Sequence, residues 1–204
     1  MNILPRRDPD KARALILSTA WDLFRQLGAR TTIADVADAL KMSSANVYRY
    51  FPTKKALTDA TCEMALGTVF EAISEAAQQS PTPGKAVEAM LYAMHVTMRD
   101  QMTDDARAHE IVDIAISERW PAIDAFHANC AGLIAQMIAQ GQATNEFGPG
   151  DPEALAIGAM TACVAIHHPS LITQCLNKAP WPGPEATIAF AMRALRNPDQ
   201  HPAI

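Results

Sequence analysis

The chain has 204 residues, of which 49% are hydrophobic and 6% aromatic, and this length suits one small domain followed by a larger one. Its four cysteines include no Cys-x-x-Cys pair, which indicates a reduced chain and argues against a disulfide framework or a structural zinc site. The first eleven residues lack the apolar core of a signal peptide and no run of 18 apolar residues occurs, so we expect a soluble, cytoplasmic protein with no membrane partner.

The net charge of −5 is divided unevenly along the chain. Residues 1–60 carry ten basic and six acidic side chains, a charge of +4, whereas residues 61–204 carry seven basic and sixteen acidic side chains, a charge of −9. A basic N-terminal part on an acidic body is expected if only that part approaches a polyanion. An unevenly charged solvated surface would give the same division, so charge alone does not decide the question.

The first predicted helix covers about residues 10–27. Its apolar side chains recur at spacings of three and four, which places on one helix face Ile16, Ala20, Leu23, Phe24 and Leu27. Gly28 follows the last apolar position, where a residue in the left-handed conformation commonly ends a helix.

A short second helix is predicted after Thr32. Thr32 and Asp35 form a capping-box pattern at its start. The residues of its buried face are Ile33, Val36, Ala37 and Leu40. The turn that ends this helix lies at Lys41 and Met42.

A third helix follows the turn, and Ser43 or Ser44 can cap it. Val47 and Phe51, at positions i and i+4, point inward. The side chains left mostly outward are those of Ser44, Ala45, Asn46, Tyr48, Arg49 and Tyr50. Exposed tyrosines and an asparagine are poor helix formers, so contact with another molecule explains them better than propensity does. The pattern suits a recognition helix in the major groove of DNA.

A fourth helix is predicted directly after Pro52, which ends the third. Thr53 can cap this helix, which begins with Lys54 and Lys55. The free backbone N–H groups of a helix N-terminus bind phosphate, and the two lysines add positive charge there. We therefore predict a DNA-binding domain over residues 1–55 and a second domain over residues 56–204.

The pattern T-T-x-x-D-V-A-x-x-x-x-M-S-x-x-x-V-Y-x-Y-F-x-x-K, which begins at Thr31, resembles the N-terminal domain of the TetR/AcrR family of transcriptional regulators. The resemblance covers roughly residues 12–60. It implies an all-α fold, in which a three-helix helix-turn-helix domain precedes a larger helical domain for ligand binding and dimerisation. Lys41 stands where this family commonly has glycine, so we expect the turn to form without a freely left-handed residue.

The resemblance implies DNA contacts for Thr32, Ser44, Asn46, Tyr48, Arg49, Tyr50 and Lys54. Ser44 and Asn46 would face base edges, where an asparagine amide can bond N6 and N7 of adenine. Thr32, the two tyrosines and Lys54 would hold phosphates, and Arg49 could serve either role. The alternative is that the tyrosines, like Phe51, only close the three-helix core.

Beyond residue 57 the pattern is helical to the end, without convincing strands. Helices are predicted at about residues 53–79, 85–102, 104–119, 122–140, 152–168 and 185–196. The helix at 152–168 is apolar nearly all round, so we expect it to be buried on every side. The resemblance implies that the last two helices form a dimer interface. Two DNA-binding domains on a dimer would read half-sites of a roughly palindromic operator.

The resemblance also implies a small-molecule effector among the middle helices of the second domain. The candidate lining residues are Met94, Met98, His109, Asp113, Trp120, His127 and His167. Methionines fill irregular space around varied ligands, although at helical spacing they also form ordinary core. Trp120, directly before a proline, is either a pocket wall or a plug at a helix end.

Some of these residues also allow a metal site. His109 and Asp113 lie at positions i and i+4, as metal ligands often do, and His127 and His167 could complete a set for zinc or nickel. His109 with Asp113 is equally an ordinary surface helix pair, and no clustered Cys/His signature occurs. A metal-responsive regulator is therefore the alternative to one that binds an organic effector.

No catalytic or cofactor motif is present: the sequence has no G-x-S-x-G elbow and no phosphate-cradling glycine loop. We expect neither an enzyme nor a cofactor. The sequence predicts a homodimeric repressor that a small-molecule effector releases from a palindromic DNA operator. A DNA-bound factor whose partner is another protein is the alternative from a different class.

Overall fold

The computed structural model describes residues 8–102, 114–118, 120–175 and 178–197, and all regular structure in these ranges is helical. Among these residues, those within 1–66 and 105–124 form one compact unit and those within 67–104 and 125–204 form a second. The all-α fold class is therefore confirmed. None of the described helices is both long and apolar enough to cross a membrane.

The first unit contains the predicted helix-turn-helix. Its elements are α1 (Pro9–Leu27), a 3-10 turn (Gly28–Arg30), α2 (Ile33–Ala39), α3 (Ser44–Tyr48) and the start of α4 (Lys54–Gln78). The buried side chains include Ile16, Ala20, Phe24, Ile33, Val36, Val47, Phe51 and Leu57. Leu27, predicted on the buried face of α1, is 39% exposed. Gly28 ends the helix directly after it, with a φ of 67°.

Side-chain caps define the starts of α2 and α4 as the sequence predicts. The backbone N–H of Asp35 donates to Thr32 Oγ1 at 3.2 Å, and that of Thr32 donates to Asp35 Oδ2 at 2.7 Å. These two bonds complete the capping box at the N-terminus of α2. The N–H of Ala56 donates to Thr53 Oγ1 at 3.0 Å and caps α4.

The turn between α2 and α3 corrects one expectation. Lys41 itself adopts the left-handed conformation, with a φ of 54°. Its N–H donates to the carbonyl of Asp38 at 3.0 Å, and the N–H of Met42 donates to that of Ala37 at 2.9 Å. The tight turn thus requires a positive φ at this position even though lysine has a Cβ, which costs roughly 1–2 kcal/mol in an L-residue.

The remaining helices are α5 (Pro83–Met102), α6 (Pro121–Ala143), α7 (Pro152–Ala162), α8 (Val164–His167), α9 (Pro169–Cys175) and α10 (Pro184–Arg196). Helix α10 packs against α5 and α7, and α5 also contacts α8 and α9. Most of the helix predicted at 104–119 lies outside the described residues, although residues 114–117 are helical.

A distant carboxylate caps α5. Glu146 Oε2, in the loop after α6, accepts hydrogen bonds from the Thr82 hydroxyl at 2.8 Å and from the Gly84 N–H at 2.9 Å. A negative charge at this end of a helix is also favoured by the helix dipole. The loop after α6 is therefore held to the start of α5.

The single helix predicted at 152–168 is broken. Helix α7 ends at Ala162, and the N–H of Cys163 bonds to the carbonyls of both Ala159 and Met160, at 3.2 and 3.1 Å. Helix α8 then lasts four residues, because Pro169 favours an extended His168, whose ψ is 122°. Pro169 begins α9, a helix that the sequence did not predict. A continuous apolar pattern does not reveal a break of this kind.

The expectation that this segment is buried on every side is also wrong for the single chain. Ile157 on α7 and Val164 on α8 are 57% and 47% exposed. Four of the exposed positions along α7 follow helical spacing, namely Ala154, Ile157, Gly158 and Thr161. Phe190 on α10 is 53% exposed. Helices α7 and α10 therefore present apolar side chains that no other part of the described chain covers.

We expect Lys41→Gly to raise the free energy of unfolding by about 0.5–1 kcal/mol. Glycine adopts a positive φ without the clash of a Cβ atom, and this gain exceeds the larger conformational entropy that glycine loses on folding. Urea unfolding followed by circular dichroism measures the change. The control is Ala39→Gly, at an ordinary helical position on α2, which should lower stability by up to about 1 kcal/mol. Destabilisation by Lys41→Gly would contradict the left-handed assignment.

Candidate nucleic-acid interface and ligand site

Helix α3 is anchored from beneath and exposes its outer side chains. Val47 and Phe51 are 0% and 2% exposed, and the guanidinium carbon of Arg13 on α1 lies 5.2 Å from the centre of the Phe51 ring. The inward positions are thus confirmed. Asn46 and Arg49 are exposed, Tyr48 is 49% exposed, and Ser44 and Tyr50 are half-buried. The outer face of α3 is therefore available for contact.

Thr31, which sequence analysis missed, ties the end of α1 to the start of α2. Its hydroxyl is buried and lies within donating distance of two carbonyl oxygens, that of Gly28 at 2.9 Å and that of Leu23 at 3.2 Å. This places Thr32 at the edge of the unit. The only signal for this role in the sequence was that a second threonine, Thr31, directly precedes the capping residue Thr32.

The N-terminal ends of α2 and α4 lie close together. The Lys54 ammonium donates to the carbonyl of Ala29 at 2.7 Å. Hydrogen bonds from the hydroxyl and the backbone N–H of Thr32 lower the pKa of Asp35, and the positive charge of Lys54 adds to this effect. Lys54 and the N-terminal end of α2 thus form one exposed polar cluster, in which the positive charge of Lys54 acts on the carboxylate of Asp35. Thr32 also donates its hydroxyl hydrogen to Asp35 Oδ2, at 2.7 Å, so a phosphate would have to share it.

Lys55 and Trp120 belong to a separate cluster in the same unit. The Lys55 ammonium lies 3.0 Å from both carboxylate oxygens of Asp59 and 5.4 Å from the centre of the Trp120 ring. Trp120 is buried and donates its indole N–H to Glu118 at 2.8 Å. The structure therefore places Trp120 in the first unit, whereas the other described candidates for effector contact lie in the second.

Two buried histidines connect α5 and α8. His95 Nδ1 lies 2.7 Å from the carbonyl oxygen of Ile166, and His167 Nε2 lies 2.9 Å from that of Leu91. A carbonyl oxygen only accepts, so both nitrogens carry hydrogen. His167 is thereby brought beside the helix that carries the buried Met94 and Met98. Sequence analysis missed His95, although a polar residue within the apolar stripe of α5 was a signal for a bonded core histidine.

His167 is a neutral hydrogen-bond acceptor. Burial is the main cause that lowers the pKa of His167 to about 4, and His95 lowers it slightly further. The hydrogen bond to Leu91 acts in the opposite direction and raises this pKa. The proton on Nε2 leaves Nδ1 as the acceptor. Among the described residues, this buried Nδ1 has no protein partner. It can accept a bond from an O–H or N–H group.

The remaining candidates lie elsewhere. His127 is exposed on α6, with its ring centre 5.8 Å from that of Phe126. His109 and Asp113 lie outside the described residues. Within the described part of the chain no group of three or more His, Cys, Asp or Glu side chains could hold a metal ion.

Two family models match the chain. The model for bacterial regulatory proteins of the tetR family matches residues 16–61, and the model for a tetracyclin repressor-like C-terminal domain matches residues 83–186. No curated protein matches the sequence.

Solved structures share the fold. A bacterial regulatory protein of the tetR family from Rhodococcus RHA1 is 20% identical with a TM-score of 0.65, and the match covers 91% of this chain and 97% of that one. The TetR-family transcriptional regulator SCO4454 from Streptomyces coelicolor is 20% identical with a TM-score of 0.66, covering 93% and 92%. RolR, solved with the ligand resorcinol, is 16% identical with a TM-score of 0.61, covering 91% and 88%.

Replacing Thr31 with Val should lower the free energy of unfolding by about 1 kcal/mol, because the single hydroxyl hydrogen, which the carbonyl oxygens of Gly28 and Leu23 share, is lost at nearly constant shape. Thr31→Ser keeps the hydroxyl and loses one methyl group, worth about 0.8 kcal/mol. Urea unfolding compares the two variants. A Val variant as stable as the wild type would show that the hydroxyl does not hold α1 to α2.

His167 should make stability depend on pH. Because its folded pKa of about 4 lies below the ordinary value of 6.5, its contribution is complete above pH 6.5 and is lost as the pH falls towards 4. The loss amounts to about 3 kcal/mol. His167→Gln, whose amide can still donate to Leu91, should remove this part of the dependence. Urea unfolding of both proteins at pH 7 and pH 4 tests this, and parallel pH profiles would refute it.

Proposed function

We propose that this protein, which belongs to the TetR family of bacterial regulatory proteins, is a homodimeric repressor that a small-molecule effector releases from a palindromic operator. Membership of the family makes the chain a DNA-binding transcriptional regulator and not an enzyme. The observation that carries the DNA-binding part is the outer face of α3, where Asn46, Tyr48 and Arg49 are exposed above the buried Val47 and Phe51. We place the regulator in the cytoplasm, where the operator would be.

In the proposed complex the N-terminal end of α3 enters the major groove. Asn46 and Ser44 face base edges, where a bidentate asparagine–adenine contact contributes about 1–3 kcal/mol of discrimination. Tyr48 and Tyr50 bond phosphates on one side, and Arg49 reaches either a phosphate or a base. The flanking phosphates lie against the cluster formed by Lys54 and the N-terminus of α2, in which Thr32 supplies a shared hydroxyl.

The exposed apolar face of α7 and α10 supports the homodimer. A second copy related by a two-fold axis would cover Ile157 and Phe190 with the same residues of its own chain. Gly158 has no heavy atom within 4 Å of an added Cβ, so another helix can approach closely there. Burial of these side chains provides the hydrophobic free energy for association. The dimer would hold two recognition helices at a fixed separation for two half-sites.

The effector site is proposed beside α5 and α8, where Met94, Met98 and His167 lie. His167 Nδ1 is a buried acceptor that has no hydrogen-bond partner among the described residues, which suits an effector with a hydroxyl or N–H group. The hydroxyl-bearing ligand of RolR, a protein of the same fold, is consistent with this chemistry. To release the operator, the effector must bind the DNA-incompetent state more tightly than the DNA-bound one.

Lys54 should contribute to operator binding through phosphate, and its neighbour provides the control. Each phosphate contact steepens the dependence of log K on log salt by about 0.9. Lys54→Ala should therefore flatten the slope by about 0.9 for each DNA-binding domain and weaken binding to all sequences. Lys55→Ala should leave the slope nearly unchanged, because Lys55 is already paired with Asp59. Fluorescence anisotropy, with an operator selected from random duplexes, measures both, and equal slopes for the two variants would contradict the assignment.

Ile157→Glu and Phe190→Glu should each convert the protein to a monomer, because a buried unpaired carboxylate opposes association. Ile116→Glu, which also introduces a carboxylate at an exposed apolar position, is the control and should remain dimeric. Light scattering after size-exclusion chromatography gives the mass, and anisotropy should show that the monomeric variants lose tight binding to the palindrome. A wild-type monomer would overturn the paired half-site mechanism.

A further inference from the structure

A cavity of about 180 Å³ lies in the second unit, and none of the proposed effector residues is among those that line it. Helices α7 and α8 line it with Ala162, Ala165 and Ile166, and α9 lines it with Ile172 and Cys175. The break at Cys163 and the turn at Pro169 redirect the chain around this space. Because two of the lining residues are alanines, the side chains are too small to fill it.

The other lining residues come from the loop before α10 and from α10 itself. They are Trp181, Pro182 and Thr187. Trp181 is 56% exposed, so this side of the cavity borders solvent. The Thr187 hydroxyl donates its single hydrogen to the carbonyl of Gly183 at 3.0 Å, so it can only accept from a ligand. None of the described residues that line the cavity is charged.

Size and lining together restrict what the cavity can bind. An engineered apolar cavity of about 150 Å³ in another protein stays dry and binds benzene. A cavity of this size and character is therefore large enough for one aromatic ring. A charged ligand is disfavoured, because the lining offers no counter-charge for a buried ion.

We propose that this cavity is a second small-molecule site, which binds a neutral, mainly apolar molecule of the size of a single aromatic ring. The site lies outside the effector set, since none of Met94, Met98, His127 and His167 lines the cavity.

Ile166 connects the cavity to the core of the unit. Its side chain lines the cavity, while its carbonyl accepts the hydrogen bond from His95 Nδ1 at 2.7 Å. A ligand that contacts Ile166 therefore touches the residue whose carbonyl joins α8 to α5. The Nδ1–H group of His95 reports occupancy from within the protein, and the indole N–H of Trp181 reports it at the rim.

The test is an NMR titration of ¹⁵N-labelled full-length protein, in the absence of DNA, with toluene as the probe and benzoate as its charged analogue. Toluene should cause saturable shifts of both the Trp181 indole and the His95 Nδ1–H signals. Benzoate should bind at least tenfold more weakly. Because no DNA is present, a failure to bind toluene would not contradict the proposed repressor function. Likewise, a failure to bind an operator would not contradict ligand binding in the cavity.

Three variants complete the test. Ala165→Leu fills the cavity and should weaken toluene binding at least tenfold, whereas Ala128→Leu, the same change at an exposed position on α6, should not. Cys175→Ala enlarges the cavity and should shift the preference from toluene to p-xylene, which keeps the proposal testable if the filled variant does not fold. Absence of saturable binding to the wild type, equal binding of benzoate, or binding that neither lining variant alters would overturn the proposal.

Discussion

The second unit depends on two hydrogen bonds that run in opposite directions between α5 and α8. His95 donates to the carbonyl of Ile166, and His167 donates to the carbonyl of Leu91. A helix that breaks and restarts leaves backbone carbonyls without intrahelical partners, and a buried one such as that of Ile166, in the four-residue α8, must find another donor. Both imidazoles are almost fully buried, where the low dielectric strengthens such bonds and makes their loss expensive. The pair therefore sets the position of the broken segment along α5.

The broken segment, which consists of α7 and α8, has three roles that depend on its position along α5. Towards α5 it carries His167, beside the methionines of the proposed effector site. Away from α5 it exposes Ile157 and Val164, which belong to the face proposed for dimerisation. Together with α9 it lines one side of the cavity, to which Ile166 contributes. Because α7 and α8 follow one another directly and carry all three places, a ligand at either proposed site would act on a segment that also bears the proposed dimer face.

The first unit is organised by a different constraint, the need to hold a five-residue helix in place. A helix as short as α3 has no independent stability in water. Its position comes from Val47 and Phe51 beneath it, from the capped start of α2 before it and from the buried Thr31 hydroxyl. The left-handed Lys41 shows that the turn geometry is retained at an energetic cost. Such rigidity suits a surface that has to match a groove of fixed dimensions.

The sequence alone determined the elements whose signals are local. The capping box of Thr32 and Asp35, the cap at Thr53 and the inward pair Val47 and Phe51 involve residues three or four positions apart, so the chain itself records them. The roles of the exposed residues on α3 stay predictions. Only the tertiary structure decided the contacts between distant residues: His95 with Ile166, separated by 71 positions, and His167 with Leu91, separated by 76. Helical periodicity shows that a helix has an apolar face but not what covers it, which is why the break at Cys163, the exposed side of α7 and the location of Trp120 escaped prediction.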